Sequence, residues 1–251
     1  MRLRICTLLS AILASAPALA EDPPPPWSGE VTAGLVSTSG NSETTTANAK
    51  VQVVYAAEIW RNTFDASLIK AEQTSKVTGI EEVTAERYFV GDKADFNLTD
   101  KDYLFLQLEF EKDLAGPIRE RTSETAGYGR KVLTGPEHLL EAELGVGMRQ
   151  TESQIVIPTA PTAVKEDDLI GRARVAYRWN FTETSYLGET VKAESGDSNT
   201  FTESVTEARL ALVGKLYALA SYTVRNNSDV PAGTEKTDTI TAFSLGWTFG
   251  K

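Results

Sequence analysis

Along residues 47 to 55, Ala47, Ala49, Val51, Val53 and Tyr55 alternate with Asn48, Lys50, Gln52 and Val54. A period of two is the signature of a strand with one dry face and one wet face. The pattern recurs down the chain. Trp60, Phe64, Ala66 and Leu68 oppose Arg61, Thr63, Asp65 and Ser67; Leu104, Leu106, Leu108 and Phe110 oppose Gln107, Glu109 and Glu111. Leu140, Ala142, Leu144, Val146 and Met148 oppose Glu141, Glu143 and Arg149. Leu216, Ala218, Ala220, Tyr222 and Val224 form another apolar face, as do Phe243, Leu245, Trp247 and Phe249. The alternation weakens at 84–96, 120–133 and 184–213, and no stretch carries a convincing helical period.

Counting segments between turn signals gives about twelve strands, most of about 10 to 14 residues. Strands of soluble sheets usually run to about 5–6 residues, whereas crossing a bilayer at a tilt takes about 9–11. The connections alternate as well. Short ones near Glu58, at 99–102, 134–137 and 181–183, and at Gly214-Lys215 interleave with longer ones at 38–43, 74–82, around Gly116, at 153–168, around Gly196 and at 226–236. That is the layout of an outer-membrane barrel, with periplasmic turns short and outer loops long. The expected fold is therefore all-β: a single antiparallel, up-and-down transmembrane β-barrel over 27–251 with both ends on the short-turn side.

Aromatic placement agrees with this. Trp27, Trp60, Trp179 and Trp247 fall near short turns or the ends of the barrel, and with Phe96, Phe181, Tyr186, Tyr217 and Phe249 they predict a girdle at the periplasmic membrane interface.

The leader fixes the expected compartment. Residues 1–20 combine Arg2 and Arg4, an apolar run and Ala18-Leu19-Ala20, which reads as a secretory signal cleaved before Glu21. EDPPPP at 21–26 reads as an extended periplasmic spacer. Cys6, the only cysteine, lies within the signal, so no disulfide or thiolate metal site is expected in the mature chain. Loss of Arg2 and Arg4 lowers the basic count from 25 to 23 against 35 acidic groups, a net charge of −12 that repels nucleic acid.

LIGRARVAYRWNF at 169–181 then acquires a meaning. Leu169, Gly171, Ala173, Val175, Tyr177, Trp179 and Phe181 are expected to face lipid, and Arg172, Arg174 and Arg178 the lumen. An arginine on the lipid face near the midplane costs roughly 2–4 kcal/mol. Lys50, Arg61, Asp65, Glu109, Glu111, Glu141, Glu143, Arg149, Glu207 and Arg209 are expected in the same interior. Such a lumen is either filled by charges that neutralise one another or a wet channel with segregated walls.

Chemistry of other kinds finds little support. His138 is the only histidine and follows a short turn, so no catalytic site is assigned to it. Glu141 and Glu143 share a strand face, a spacing that alternation produces automatically. Glu166, Asp167, Asp168 and Asp197 are read as outer-loop acids able to meet divalent cations or lipopolysaccharide, and IVIPTAPTAV at 155–164 as an apolar loop able to fold into the barrel mouth. No cofactor is expected.

WSGEVTAGLVSTSGNSETTTANAKV at 27–51, TAERYFVGDKADFNLTDKDYLFLQLEFEKD at 84–113 and Glu235-Lys236-Thr237-Asp238 resemble the salt-induced outer-membrane protein family (YdiY-like, domain of unknown function 481). The resemblance covers essentially the whole mature chain and implies an outer-membrane barrel without an assigned reaction. Departing from a common pattern of such barrels, the chain continues past Phe249 to Gly250 and Lys251. The expected partners are outer-membrane lipids, lipopolysaccharide and the barrel-assembly machinery, with oligomeric state left open. Three functions stand open: a structural or stress-related envelope protein, a narrow ion or small-solute channel, and an interfacial lipid enzyme.

Overall fold

A computed structural model describes residues 27–38, 42–75, 80–115, 118–155, 162–230 and 235–250. The expected signal and Pro-rich spacer at 1–26, residues 156–161 of the expected apolar loop, and Lys251 lie outside them. Twelve strands follow in chain order: β1 (Trp27–Thr38), β2 (Ser42–Ala56), β3 (Trp60–Ser75), β4 (Glu81–Asn97), β5 (Asp102–Asp113) and β6 (Ile118–Thr134). The second half comprises β7 (His138–Ile155), β8 (Thr162–Asn180), β9 (Tyr186–Ser195), β10 (Thr200–Val213), β11 (Leu216–Asn227) and β12 (Thr237–Gly250).

Each strand pairs antiparallel with its sequence neighbours, and β12 pairs with β1 to close the barrel. Closure leaves no open edge, so every ladder has a partner on both sides. Gly29 opposes Phe249 at the seam, where a Cβ on Gly29 would lie 2.4 Å from the Phe249 ring. Gly214 supplies the left-handed φ of 57° that lets the chain turn within the two residues between β10 and β11.

The barrel is apolar outside and polar inside. Leu169 is 78% exposed and Leu144 68%, whereas Arg149 is 0% and Glu143 2% exposed. In water this would put most large aliphatic groups in the solvent and bury the guanidinium groups. Against lipid it is the low-energy arrangement. No helix among the described residues is long and apolar enough to cross a membrane, and the spanning elements here are strands.

Strands run from 10 to 19 residues, beyond the expected range. The excess lies at the outer ends. Residues 162–168, expected in a loop, belong to β8, and Glu166 pairs with Thr151 of β7. Above an apolar band the ladder persists while the reason for apolar alternation ends, so polar composition there imitates a loop. Bulges at Ala71/Glu72, Ile118/Glu120, Lys131/Leu133 and Ala211/Val213 further shift the alternation.

Candidate functional site: the charged lumen

Four clusters of side chains occupy the interior. The first is built around Glu143 on β7, whose carboxylate accepts from Lys93 Nζ at 2.6 Å, Tyr103 Oη at 2.8 Å, Arg172 at 3.0 Å and Arg174 at 3.5 Å. Lys93 also reaches Asp95 at 2.8 Å, and Asp95 accepts from Arg61 through Nε at 2.9 Å and Nη2 at 2.8 Å. Three cations around one fully buried carboxylate replace the hydration that burial removed.

Above it, Arg149 donates to Asp168 at 2.9 Å, to the Asn199 carbonyl at 2.5 Å and to the Glu194 carbonyl at 3.3 Å. Asp168 is held in turn by the backbone N–H of Ser198 at 3.1 Å and by the Ser198 hydroxyl. Asp168 is thus an interior counter-ion and not a loop acid.

The third cluster crosses the lumen. Arg225 on β11 makes two hydrogen bonds to Glu111 on β5, at 2.6 and 2.7 Å, and its Nε lies 3.0 Å from Glu203 on β10. In a ring of twelve strands, β5 and β11 stand on opposite walls. Lys192 to Glu109 at 2.9 Å and Arg121 to Asn227 at 2.8 Å run beside this crossbar, and the Arg121 guanidinium lies 4.0 Å above the Phe201 ring. In the fourth cluster, Arg209 pairs with Glu30 at 2.9 Å and covers Tyr217 at 3.6 Å, while Lys50 stands 3.7 Å from Glu207.

The three arginines of β8 therefore have different surroundings. Arg172 is sealed into the Glu143 cluster, Arg174 sits at its edge, and Arg178 lies over the Tyr186 ring at 5.2 Å with no ion pair among the described residues. Glu141 and Asp65 line a cavity, and Asp65 accepts from the Gln52 amide at 2.7 Å.

Two expected girdle residues are corrected. Tyr186 and Tyr217 point into the lumen against Arg209, because on β9 and β11 it is Leu187 and Tyr222 that take the outward register. Trp27, Trp60, Phe96, Trp179, Phe181 and Trp247 are outward and exposed; Phe249 shares the outward register of Trp247. On the outer surface the His138 ring stacks beside Tyr177, its Nδ1 2.9 Å from the phenol oxygen.

Sequence reading missed Asp95, Lys93, Arg121, Lys192, Glu194, Glu203, Glu30 and Arg225. Most of these lie in the stretches of weak alternation, where outward carboxylates obscure the parity. Asp92, Glu124 and Glu189, one in each stretch, share the outward register of Val90, Tyr128 and Leu187.

Two cavities remain. The larger, about 560 Å³, opens between the lower ends of the strands and is lined by Arg61, Lys93, Glu141, Arg174 and Arg178 among others. The smaller, about 270 Å³, runs along the β1–β3 and β11–β12 wall past Thr32, Asn48, Ser67, Ser221, Thr223 and Ser244.

Among known proteins, the chain is 29% identical over 228 residues to the uncharacterized protein YdiY of Escherichia coli K12, covering 88% of this chain and 83% of that one. The translocator domain of the autotransporter NalP from Neisseria meningitidis superposes with a TM-score of 0.48 at 10% identity, over 91% of this chain and 89% of that one. The NanC porin superposes with a TM-score of 0.45 at 10% identity, over 89% and 99% respectively. The family described as a protein of unknown function, DUF481, matches residues 31–249, and the chain belongs to it.

Proposed function

We propose that this protein is a β-barrel of the Gram-negative outer membrane, exported by a cleaved signal peptide and serving a structural or stress-related role with an internally braced lumen. The crossbar from Glu111 to Arg225 carries this reading, because an ion pair between opposite walls, with Arg225 Nη2 donating to both Glu111 oxygens, occupies the space an open pore would need. The outward aliphatic band and the aromatic residues at the short-turn end support the bilayer. Outer-membrane lipids and lipopolysaccharide are its surroundings, the barrel-assembly machinery its route in, and the role is not enzymatic.

Planar-bilayer recording of the refolded mature protein tests it. The expected wild-type conductance is far below that of an open twelve-stranded barrel, and it rises when Glu111 and Arg225 are both replaced by serine. A wide, stable wild-type pore indifferent to that change would overturn the reading. A second reading, a narrow channel for ions or small solutes, is favoured by one observation. The two cavities share lining residues, and the smaller is lined by Glu111 of the crossbar.

A further inference from the structure

The two cavities adjoin, and the charged side chains that line both, Lys50, Asp65, Glu109, Glu203 and Glu207, define the neck between them. We infer that this neck, and not the β8 arginine ladder, sets the ion preference of the side passage, and that it favours small cations over anions. The inference rests on the second reading above.

The charge arithmetic of the neck is uneven. Four carboxylates and one ammonium face the shared space. Glu207 has Lys50 at 3.7 Å and Glu109 has Lys192 at 2.9 Å. The cation nearest Glu203 is Arg225 at 3.0 Å, which lines neither cavity and is shared with Glu111. Among the described residues Asp65 accepts only from the neutral Gln52 amide, with the Lys50 charge acting on it from beyond ion-pair distance. The shared lining thus carries more carboxylate than ammonium, and the smaller cavity as a whole sets Asp65, Glu109, Glu111, Glu203 and Glu207 against Lys50, Arg87 and Lys192.

The β8 arginines do not offset this. Arg172 lines neither cavity, and Arg174 and Arg178 line only the lower one. The wall beside the neck adds hydroxyl and amide groups from Ser67, Ser221, Thr223 and Asn48, which can replace part of a cation's hydration shell. Fixed charge a few ångströms from an ion path acts strongly where low-dielectric walls confine the field.

Reversal potentials across a KCl gradient, measured on the refolded mature protein in planar bilayers, decide the matter. The wild type is expected to prefer potassium over chloride. Asp65→Asn, which keeps an oxygen for the Gln52 amide, should lower that ratio about threefold, and Lys50→Met should raise it. Heat-modifiable gel mobility checks that each variant folds. A conducting barrel that prefers chloride, or whose ratio follows Arg174→Gln and Arg178→Gln while ignoring Asp65→Asn, overturns the inference and leaves the channel reading standing. A folded wild type that never conducts overturns both.

Discussion

Glu143 shows how a single side chain can fix part of a barrel interior. Its carboxylate is fully buried and has three cations and a phenol within hydrogen-bond reach, drawn from β4, β5 and β8. Removing one partner of a buried ion pair strands charge, at a cost of about 3–5 kcal/mol. Glu143→Ala should therefore lower the urea midpoint of the refolded barrel by that order. Replacing Arg172, sealed in the same cluster, should act likewise, whereas Arg178→Ser at the lower cavity should stay within about 0.5 kcal/mol, as surface changes do. Equal losses at Arg172 and Arg178 would contradict the division of the ladder into a buried and an open arginine. That division was not legible in the sequence. Parity alone places both residues on one face, and depth depends on which strands converge across the lumen.

At the scale of the strand, parity was readable wherever the outer face was uniformly apolar, as on β5 and β7, where every outward position from Leu104 to Phe110 and Leu144 to Met148 is aliphatic or aromatic. It failed on β4, β6 and β9. On β4 the outward Asp92 accepts from the Asn62 amide at 3.0 Å, and on β9 the outward Glu189 accepts from Ser204 at 2.5 Å and from Thr206. A carboxylate on the lipid face is unfavourable, though less so than a basic group. Asp92→Leu should stabilise the folded barrel by roughly 1–2 kcal/mol in lipid vesicles, read as a rise in the unfolding midpoint. Destabilisation instead would show that the Asn62–Asp92 pair holds β3 against β4. Close packing gives the converse case inside the barrel. A Cβ on Gly246 would lie 2.2 Å from the Tyr217 ring, so Gly246→Val should displace that ring from Arg209 and cost about 1–3 kcal/mol.

For the whole molecule, strand number and up-and-down order were written in the spacing of turn signals, whereas the contrast between short and long connections is smaller than expected: three residues join β1 to β2 and three join β2 to β3, because the strands extend into the outer connections. What fills the lumen was not written there, since it depends on contacts between strands far apart in the chain. Arg225 and Glu111 are 114 residues apart and Arg209 and Glu30 are 179 apart. Treatment with protease should leave the refolded barrel intact while cutting connections at the long-loop end, and mass analysis of the exported protein should begin at Glu21. Fragments starting or ending within the strands would contradict a single closed barrel.

The crossbar also bears on the order of events during assembly. Its acidic end on β5 emerges early and its basic end on β11 late, so Glu111 must wait for Arg225 until the chain has nearly finished threading. The two ends can meet only when the sheet has curled far enough to bring opposite walls together, a geometry reached as β12 joins β1. Crossbar and seam should then form together, in a late step with a high entropic barrier. In a stopped-flow refolding series, neutralising Arg225 and Glu111 as a pair would leave the early phases unchanged and alter the last one, making the ion pair a latch on completed closure.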